Sequence, residues 1–138
     1  MRVALLAAFV LASSLAFAQD TAHWPSGAQV YIISPHNGAM VKSPVTVRFG
    51  LKGLGVAPAG VKFENTGHHH LLIDVELPSD LNAPLPKTEN IRHFGKGETE
   101  TSLTLAPGKH TLQLVVGDEN HIPHNPPLVS KKITITVE

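Results

Sequence analysis

Apolar and polar side chains alternate along several short segments of the chain from residue 29 onward. Apolar residues at every second position are typical of β-strands that bury one face and expose the other. The eleven prolines and eleven glycines separate these segments every few residues and limit their length. The pattern predicts strands at residues 29–33, 44–51, 68–77, 101–105, 110–116 and 129–137, and a weaker strand at 61–63.

Six or seven short strands with turn residues between them predict an all-β fold. We expect a single antiparallel, immunoglobulin-like β-sandwich over residues 28–138, preceded by a flexible lead over residues 19–27. A small β-barrel has the same strand content and is the alternative. The segment 78–98 has little strand character and contains three prolines. We expect it to be either a mobile surface loop or a binding loop.

The first 18 residues have the parts of a secretory signal peptide. Arg2 supplies the positive charge, an apolar run follows from Val3, and Ala16-Phe17-Ala18 is a typical cleavage site. The run is shorter than the roughly 20 apolar residues that span a bilayer, which disfavours an uncleaved anchor. We predict cleavage after Ala18 and a periplasmic or secreted location. No second long apolar run follows, so we predict no transmembrane segment in the mature chain.

Composition excludes several kinds of chemistry. The chain has eleven basic and eleven acidic residues and no basic run, so we expect no binding to nucleic acid. It has no cysteine, and therefore no disulfide, thiolate metal site or cysteine nucleophile. Once Met1 has left with the signal peptide, Met40 is the single thioether, which excludes a methionine-rich Cu(I) site. Imidazole and carboxylate groups remain as metal ligands.

Histidine is the unusual residue of this chain, which has nine, all of them after residue 18. His68 and His70 have the spacing that puts two side chains on one face of a strand, about 7 Å apart at their Cα atoms. His69 then points to the opposite face, either as a core histidine or as a ligand at the end of the sheet. Three others have no close partner in the sequence and are assigned to structure or surface: His23, His36 and His110.

Two more histidines, His121 and His124, lie in a proline-rich turn after a predicted strand. Prolines stiffen such a turn and limit the entropy that it loses on binding. Nearby Asp118 is either a ligand or the acceptor that fixes a histidine tautomer. Imidazole and carboxylate groups suit Cu(II) and Zn(II). We therefore predict a site for one copper or zinc ion, with His68, His70, His121 and His124 as ligands and His69, His93 and Asp118 in reserve.

Four blocks of sequence hold most of the histidines. They are GHHHLLID (67–74), HFGKGETE (93–100), LAPGKHTLQLVVGD (105–118) and NHIPHNPPLVSKKITI (120–135). Together they resemble a family of small secreted bacterial proteins known as a domain of unknown function, with the motifs GHHHLLID and GDxNHxPHxPP. The resemblance implies that the blocks form one unit, and it implies no reaction. Separately, residues 33–47 resemble the opening strands of bacterial immunoglobulin-like modules.

Three functions are compatible with these residues. The first is an exported, histidine-rich periplasmic protein that coordinates Cu(II) or Zn(II) for sequestration or delivery. The second is an interaction module that binds an envelope protein or a glycan, with its histidines in a structural hydrogen-bond network. The third is a metal-assisted enzyme, which needs an open coordination position and a base such as Glu98. No residue pattern requires an enzyme, so we favour a binding protein.

Overall fold

The structure, a computed structural model, describes residues 22–138. The predicted signal peptide, residues 1–18, lies outside the described residues. Between residues 22 and 138, no helix is long and apolar enough to cross a membrane.

The described residues form nine strands and no helix. The strands are β1 (Gln29–Ser34), β2 (Met40–Val41), β3 (Val45–Lys52), β4 (Gly55–Val56), β5 (Thr66–Ile73), β6 (Ile91–His93), β7 (Glu100–Leu103), β8 (Gly108–Gly117) and β9 (Ile133–Val137). The weak strand predicted at 61–63 does not form. The short strands β2, β4 and β6 are not predicted by the alternating pattern.

Two sheets pack face to face and are not closed into a barrel. The smaller sheet has the order β1-β3-β7, and the larger has the order β2-β9-β8-β5-β4, with β6 also paired to β5. The long strands pair antiparallel, while the two-residue strands β2 and β4 pair parallel with β9 and β5. The orders β1-β3-β7 and β5-β8-β9 are those of the A-B-E and C-F-G strands of an immunoglobulin-like sandwich. The predicted all-β sandwich is confirmed.

Alternate residues of the facing strands form the core between the two sheets. β3 contributes Val45, Val47 and Phe49, and β8 contributes Leu112 and Leu114, each at most 4% exposed. Burial of one such side chain stabilises the fold by about 1.5–3 kcal/mol relative to exposure. Because the chain has no disulfide, packing of this kind holds the two sheets together.

β5 departs from simple alternation because both of its faces are buried. Leu71 and Ile73 face the core between the sheets, while Leu72 packs on the outer face with Leu85 and Val115. Leu85 belongs to the long segment between β5 and β6, which folds over this outer face. Neither face of β5 is therefore exposed to solvent, whereas an antiparallel sheet commonly exposes one of its faces.

The segment 78–98 is fixed to the sandwich by strand pairing and by a contact with the turn after β8. Ile91–His93 forms β6 and pairs with β5. The backbone N–H of Leu85 donates a hydrogen bond of 2.9 Å to the carbonyl oxygen of His121, and the Leu85 side chain is buried. The segment thus covers apolar surface and also holds His93, on β6, beside His70 of β5.

An ion pair links Asp74, the residue after β5, to His110 near the start of β8. His110 Nδ1 lies 2.7 Å from Asp74 Oδ2, and the Thr111 backbone N–H donates to Asp74 Oδ1 over 2.8 Å. The hydrogen bond with Asp74, and a second one with the Ala106 carbonyl, raise the pKa of His110. A histidine pKa that is raised by folding stabilises the folded state below the ordinary value of about 6.5. This contribution is lost as the pH rises through the raised value.

We expect Asp74→Asn to destabilise the protein at about pH 5.5 and to have much less effect near pH 9. The loss should be at most about 1 kcal/mol, since the pair is partly exposed to solvent. Asparagine suits the positive φ of 58° at this position, so the backbone is retained. Urea unfolding at the two pH values measures the difference. An equal loss at both pH values would mean that the charge of the pair contributes nothing.

Candidate metal centre

Two strands and one turn bring four histidines to the outer face of the larger sheet. His68 and His70 share one face of β5, as their spacing predicts. β6 pairs with β5 so that His93 lies directly opposite His70, and directly opposite residues share a face. His121 comes from the turn after β8, whose last residue, Gly117, lies opposite His68. We call His68, His70, His93 and His121 the histidine cluster.

The rings of the histidine cluster converge on one atom, Nδ1 of His121. This nitrogen lies 2.9 Å from His68 Nε2, 3.1 Å from His70 Nε2 and 3.1 Å from His93 Nδ1. One ligand nitrogen from each of His68, His70 and His121 lies within 4.8 Å of the other two. These three residues can hold a metal ion. His93 adds a fourth ring nitrogen in contact with the same atom.

Hydrogen bonds alone account poorly for the three ring nitrogens around His121 Nδ1. A ring nitrogen of neutral imidazole carries either one proton or one in-plane lone pair, so it makes one well-directed hydrogen bond. His121 Nδ1 has three ring nitrogens within 3.1 Å. At least two of the three contacts then lack a good hydrogen bond. A cation that accepts several lone pairs at one point satisfies them together.

The second nitrogen of each ring shows how the ring is oriented. His93 Nε2 lies 3.2 Å from the Pro86 carbonyl oxygen, which can only accept, so Nε2 carries the proton. The lone pair of His93 is therefore on Nδ1, towards His121. Carbonyl partners of this kind usually orient metal-binding histidines. Within the described residues, His68 Nδ1 and His70 Nδ1 have no hydrogen-bond partner, so packing and the contacts of their Nε2 atoms with His121 Nδ1 orient these two rings.

Gly117 packs directly against the His70 ring. A Cβ atom added at Gly117 would lie 2.5 Å from His70 Cε1 and 3.1 Å from His70 Nδ1. Real side chains do not approach each other so closely. His70 is fully buried, so its ring cannot move into solvent. The absence of a side chain at Gly117 is therefore what lets the His70 ring take its position.

Burial keeps three rings of the histidine cluster neutral, those of His68, His70 and His93. It lowers the pKa of His68 to about 4 and the pKa of His70 to about 2. Neighbouring rings add to both shifts because two imidazolium charges would repel each other. Burial also lowers the pKa of His93, while the Pro86 carbonyl opposes that shift. Neutral imidazole is the form that binds metal ions.

His69 is on the other face of β5 and does not join the cluster. It is buried in the core, with its ring centroid 5.1 Å from that of Phe49. Burial lowers the pKa of His69 to about 4, and the Glu98 backbone partly opposes the shift. Of the two roles that its position predicts, core histidine or ligand, the structure matches the core histidine.

Asp118 builds the turn that carries His121. Its Oδ1 accepts hydrogen bonds from the backbone N–H groups of Asn120 (2.8 Å) and Ile122 (3.0 Å), and its carbonyl accepts one from His121 N (2.9 Å). Burial tends to raise the pKa of Asp118, but the hydrogen bonds from Ile122, His124 and Asn120 outweigh it and lower that pKa. The carboxylate therefore stays ionised and fixes the turn. It is not one of the groups that meet at His121 Nδ1.

His124 belongs to a second group, with Asp118 and His23. Its Nε2 lies 2.6 Å from Asp118 Oδ2, and its ring stacks on that of His23 with centroids 3.6 Å apart and planes 7° apart. One ligand atom from each of the three residues lies within 4.8 Å of the other two. We call His23, Asp118 and His124 the second group. The seven predicted ligands thus divide between the histidine cluster, the second group and the core.

His23 is the site residue that the sequence does not reveal. It is far along the chain from its partners, and no local spacing connects it to them. Trp24 brings it there, because the buried indole donates a hydrogen bond of 2.7 Å from Nε1 to the Pro123 carbonyl. The aromatic residue beside His23 is the only sequence signal. His36 is exposed and His110 is in the ion pair with Asp74, as their assignment to structure or surface predicts.

Comparison with protein families matches residues 47–138 to the family described as Domain of unknown function (DUF4399). The matched region contains the whole histidine cluster, together with Asp118 and His124, and leaves out His23. It starts earlier than the four blocks that carry the resemblance in the sequence. No curated protein and no solved structure matches the chain.

Proposed function

The chain belongs to the DUF4399 family, and we propose that it is an exported periplasmic protein that binds one Cu(II) or Zn(II) ion at the histidine cluster. Binding would serve to sequester the metal or to deliver it. His68, His70 and His121 are the proposed ligands, and His93, whose Nδ1 lies 3.1 Å from His121 Nδ1, would have to move towards His68 and His70 to become the fourth. The proposed export rests on the signal-peptide pattern of residues 1–18.

The observation that carries this proposal is the convergence on His121 Nδ1. Adjacent ligand nitrogens around an ion with bonds of about 2.0 Å are separated by about 2.8 Å in a square plane and about 3.3 Å in a tetrahedron. The three separations at His121 Nδ1, 2.9, 3.1 and 3.1 Å, fall between these values. Hydrogen bonds have similar lengths, but one nitrogen does not serve three of them well. This is why we prefer a metal site to a purely structural histidine network.

The chemistry of the ligands favours borderline metal ions. Imidazole suits Cu(II) and Zn(II), whereas Ca(II) and Mg(II) prefer oxygen ligands. The low pKa values of His68 and His70 leave their lone pairs free at neutral pH. Four protein ligands are typical of closed sites, while catalytic zinc sites usually keep one position open. With His93 as its fourth ligand, the histidine cluster would be a closed site, which fits a binding role better than a catalytic one.

Metal titration of the exported, processed protein, after metal removal with a chelator, tests the proposal. We expect the first equivalent of Zn(II) or Cu(II) to bind with a Kd below about 1 μM, or more than about 8 kcal/mol in binding free energy. The Cu(II) complex should show an electron paramagnetic resonance signal split by at least three nitrogens. His36→Ala, which removes an exposed histidine outside both groups, is the control and should bind equally well. Binding no tighter than that of the urea-unfolded chain would overturn the proposal.

A further inference from the structure

We infer that the second group, His23, Asp118 and His124, is a separate and more exposed site for a divalent transition metal. One ligand atom from each residue lies within 4.8 Å of the other two. None of the three is among the four residues of the histidine cluster. The two sites are adjacent, because the turn that carries His121 also carries His124.

The chain holds the three residues together by contacts that involve no metal. The buried Trp24 side chain donates its hydrogen bond to the Pro123 carbonyl, which fixes the residues before β1 against the turn. His23 is thereby placed with its ring centroid 4.5 Å from that of Trp24. His124 follows Pro123 directly. The site is thus built from two distant parts of the chain that pack against each other.

Asp118 gives this group a fixed anionic ligand. The Asp118 side chain is 7% exposed, and its Oδ1 accepts hydrogen bonds from two backbone N–H groups. Its Oδ2 faces His124 Nε2 at 2.6 Å. A metal ion would replace the proton between these two atoms and widen their separation to about 3 Å. The partly exposed ring of His124 has room for that movement.

His23 must turn to reach the same ion. Its ring is nearly parallel to that of His124, so the in-plane lone pairs of the two rings lie in nearly parallel, separate planes. Lone pairs converge on one point only when the rings tilt apart. His23 is exposed and can rotate about its side-chain bonds, whereas Asp118 cannot. Metal binding should therefore break the stack of His23 on His124.

The ligand set differs from that of the histidine cluster in charge and in completeness. Two imidazoles and one carboxylate are a common ligand set of zinc sites that keep a fourth position for water or a small ligand. The three residues line an open cleft of about 800 Å³, whose wall also contains Trp24 and Phe63. The carboxylate offsets one of the two positive charges of the ion. We therefore assign the site to Zn(II) first, with the fourth position towards the cleft.

Zinc titration by calorimetry separates the two sites. Wild-type protein should bind two equivalents of Zn(II), and His23→Ala should bind one, with the Kd of the first equivalent unchanged. The second equivalent should weaken at least about 10-fold in His23→Ala or disappear. His36→Ala is the matched control, since it also removes an exposed histidine, and it should keep both equivalents.

Tryptophan fluorescence measures zinc binding at the second group itself. The chain has one tryptophan, Trp24, and the His23 ring lies against it. The fluorescence of Trp24 should change with the second equivalent of Zn(II) in wild type, and this step should be absent in His23→Ala. If every equivalent of Zn(II) that wild type binds persists unchanged in His23→Ala, the inference is overturned.

The same experiment distinguishes this inference from the proposed function. If one equivalent binds and His121→Asn removes it, the histidine cluster is the metal site and the second group is not. If one equivalent binds, survives in His121→Asn and disappears in His23→Ala, the second group alone binds metal. Only the second of these outcomes supports the inference, and only the first supports the proposed function.

Discussion

Replacement of His121 by asparagine is expected to weaken binding of the first equivalent of Zn(II) or Cu(II) at least about 100-fold, equivalent to about 2.7 kcal/mol. His121 Nδ1 is the atom that the other three rings approach within 3.1 Å. Its loss leaves His68, His70 and His93 without their common neighbour. Asparagine is preferred to alanine because the backbone at His121 has a φ of 64°, which asparagine tolerates.

His124→Asn is the matched control for this substitution. It exchanges the same residue types in the same turn, at a position with the same φ of 64°, but outside the histidine cluster. The first equivalent should bind as in wild type, because none of the ligands proposed for the histidine cluster is lost, whereas the second equivalent, proposed for the group that contains His124, should weaken. Isothermal titration of both variants, with circular dichroism to check folding, makes the comparison. An equal loss of the first equivalent in the two variants would assign the effect to the turn and not to ligation by His121.

The periodicity of apolar residues predicts the sandwich well, for a physical reason. A strand with one buried face needs apolar residues at every second position, and Val45, Val47 and Phe49 show this directly. The two-residue strands β2 and β4 carry no such pattern, because they pair only through backbone atoms at the edges of the sheet. The sequence pattern also does not predict that both faces of β5 are buried, since this depends on where the segment 78–98 folds.

The candidate site is predictable in part. The spacing of His68 and His70 is enough to place them on one face, and it also sends His69 to the other. The convergence of His93 and His121 is not encoded locally, because it depends on the pairing of β6 with β5 and on the turn built by Asp118. His124 is close to His121 in the sequence, but its ring lies against Asp118 and His23.

Gly117→Ala is expected to reduce both the stability of the protein and the affinity of the histidine cluster. The new Cβ would lie 2.5 Å from His70 Cε1, and the His70 ring is completely buried. Overpacking of this kind costs about 1–3 kcal/mol of unfolding free energy. Because the ring must shift or turn, its Nε2 should leave the position near His121 Nδ1, and metal affinity should fall at least about 10-fold. Urea unfolding of the metal-free protein and metal titration measure the two effects separately.

Gly50→Ala separates the loss of a ligand position from steric strain in general. Its added Cβ would also meet an aromatic ring, lying 2.2 Å from Tyr31 Cε2, but in the other sheet. Tyr31 is 45% exposed and can swing into solvent, whereas His70 has no such exit. We therefore expect a small loss of stability and unchanged metal affinity in Gly50→Ala. If Gly117→Ala loses stability but keeps full affinity, His70 is not a ligand, and the ion must be held by the remaining rings. If stability and metal affinity fall together, the absence of a side chain at Gly117 contributes to the orientation of His70. Among the described residues, His70 Nδ1 has no hydrogen-bond partner that could orient the ring instead.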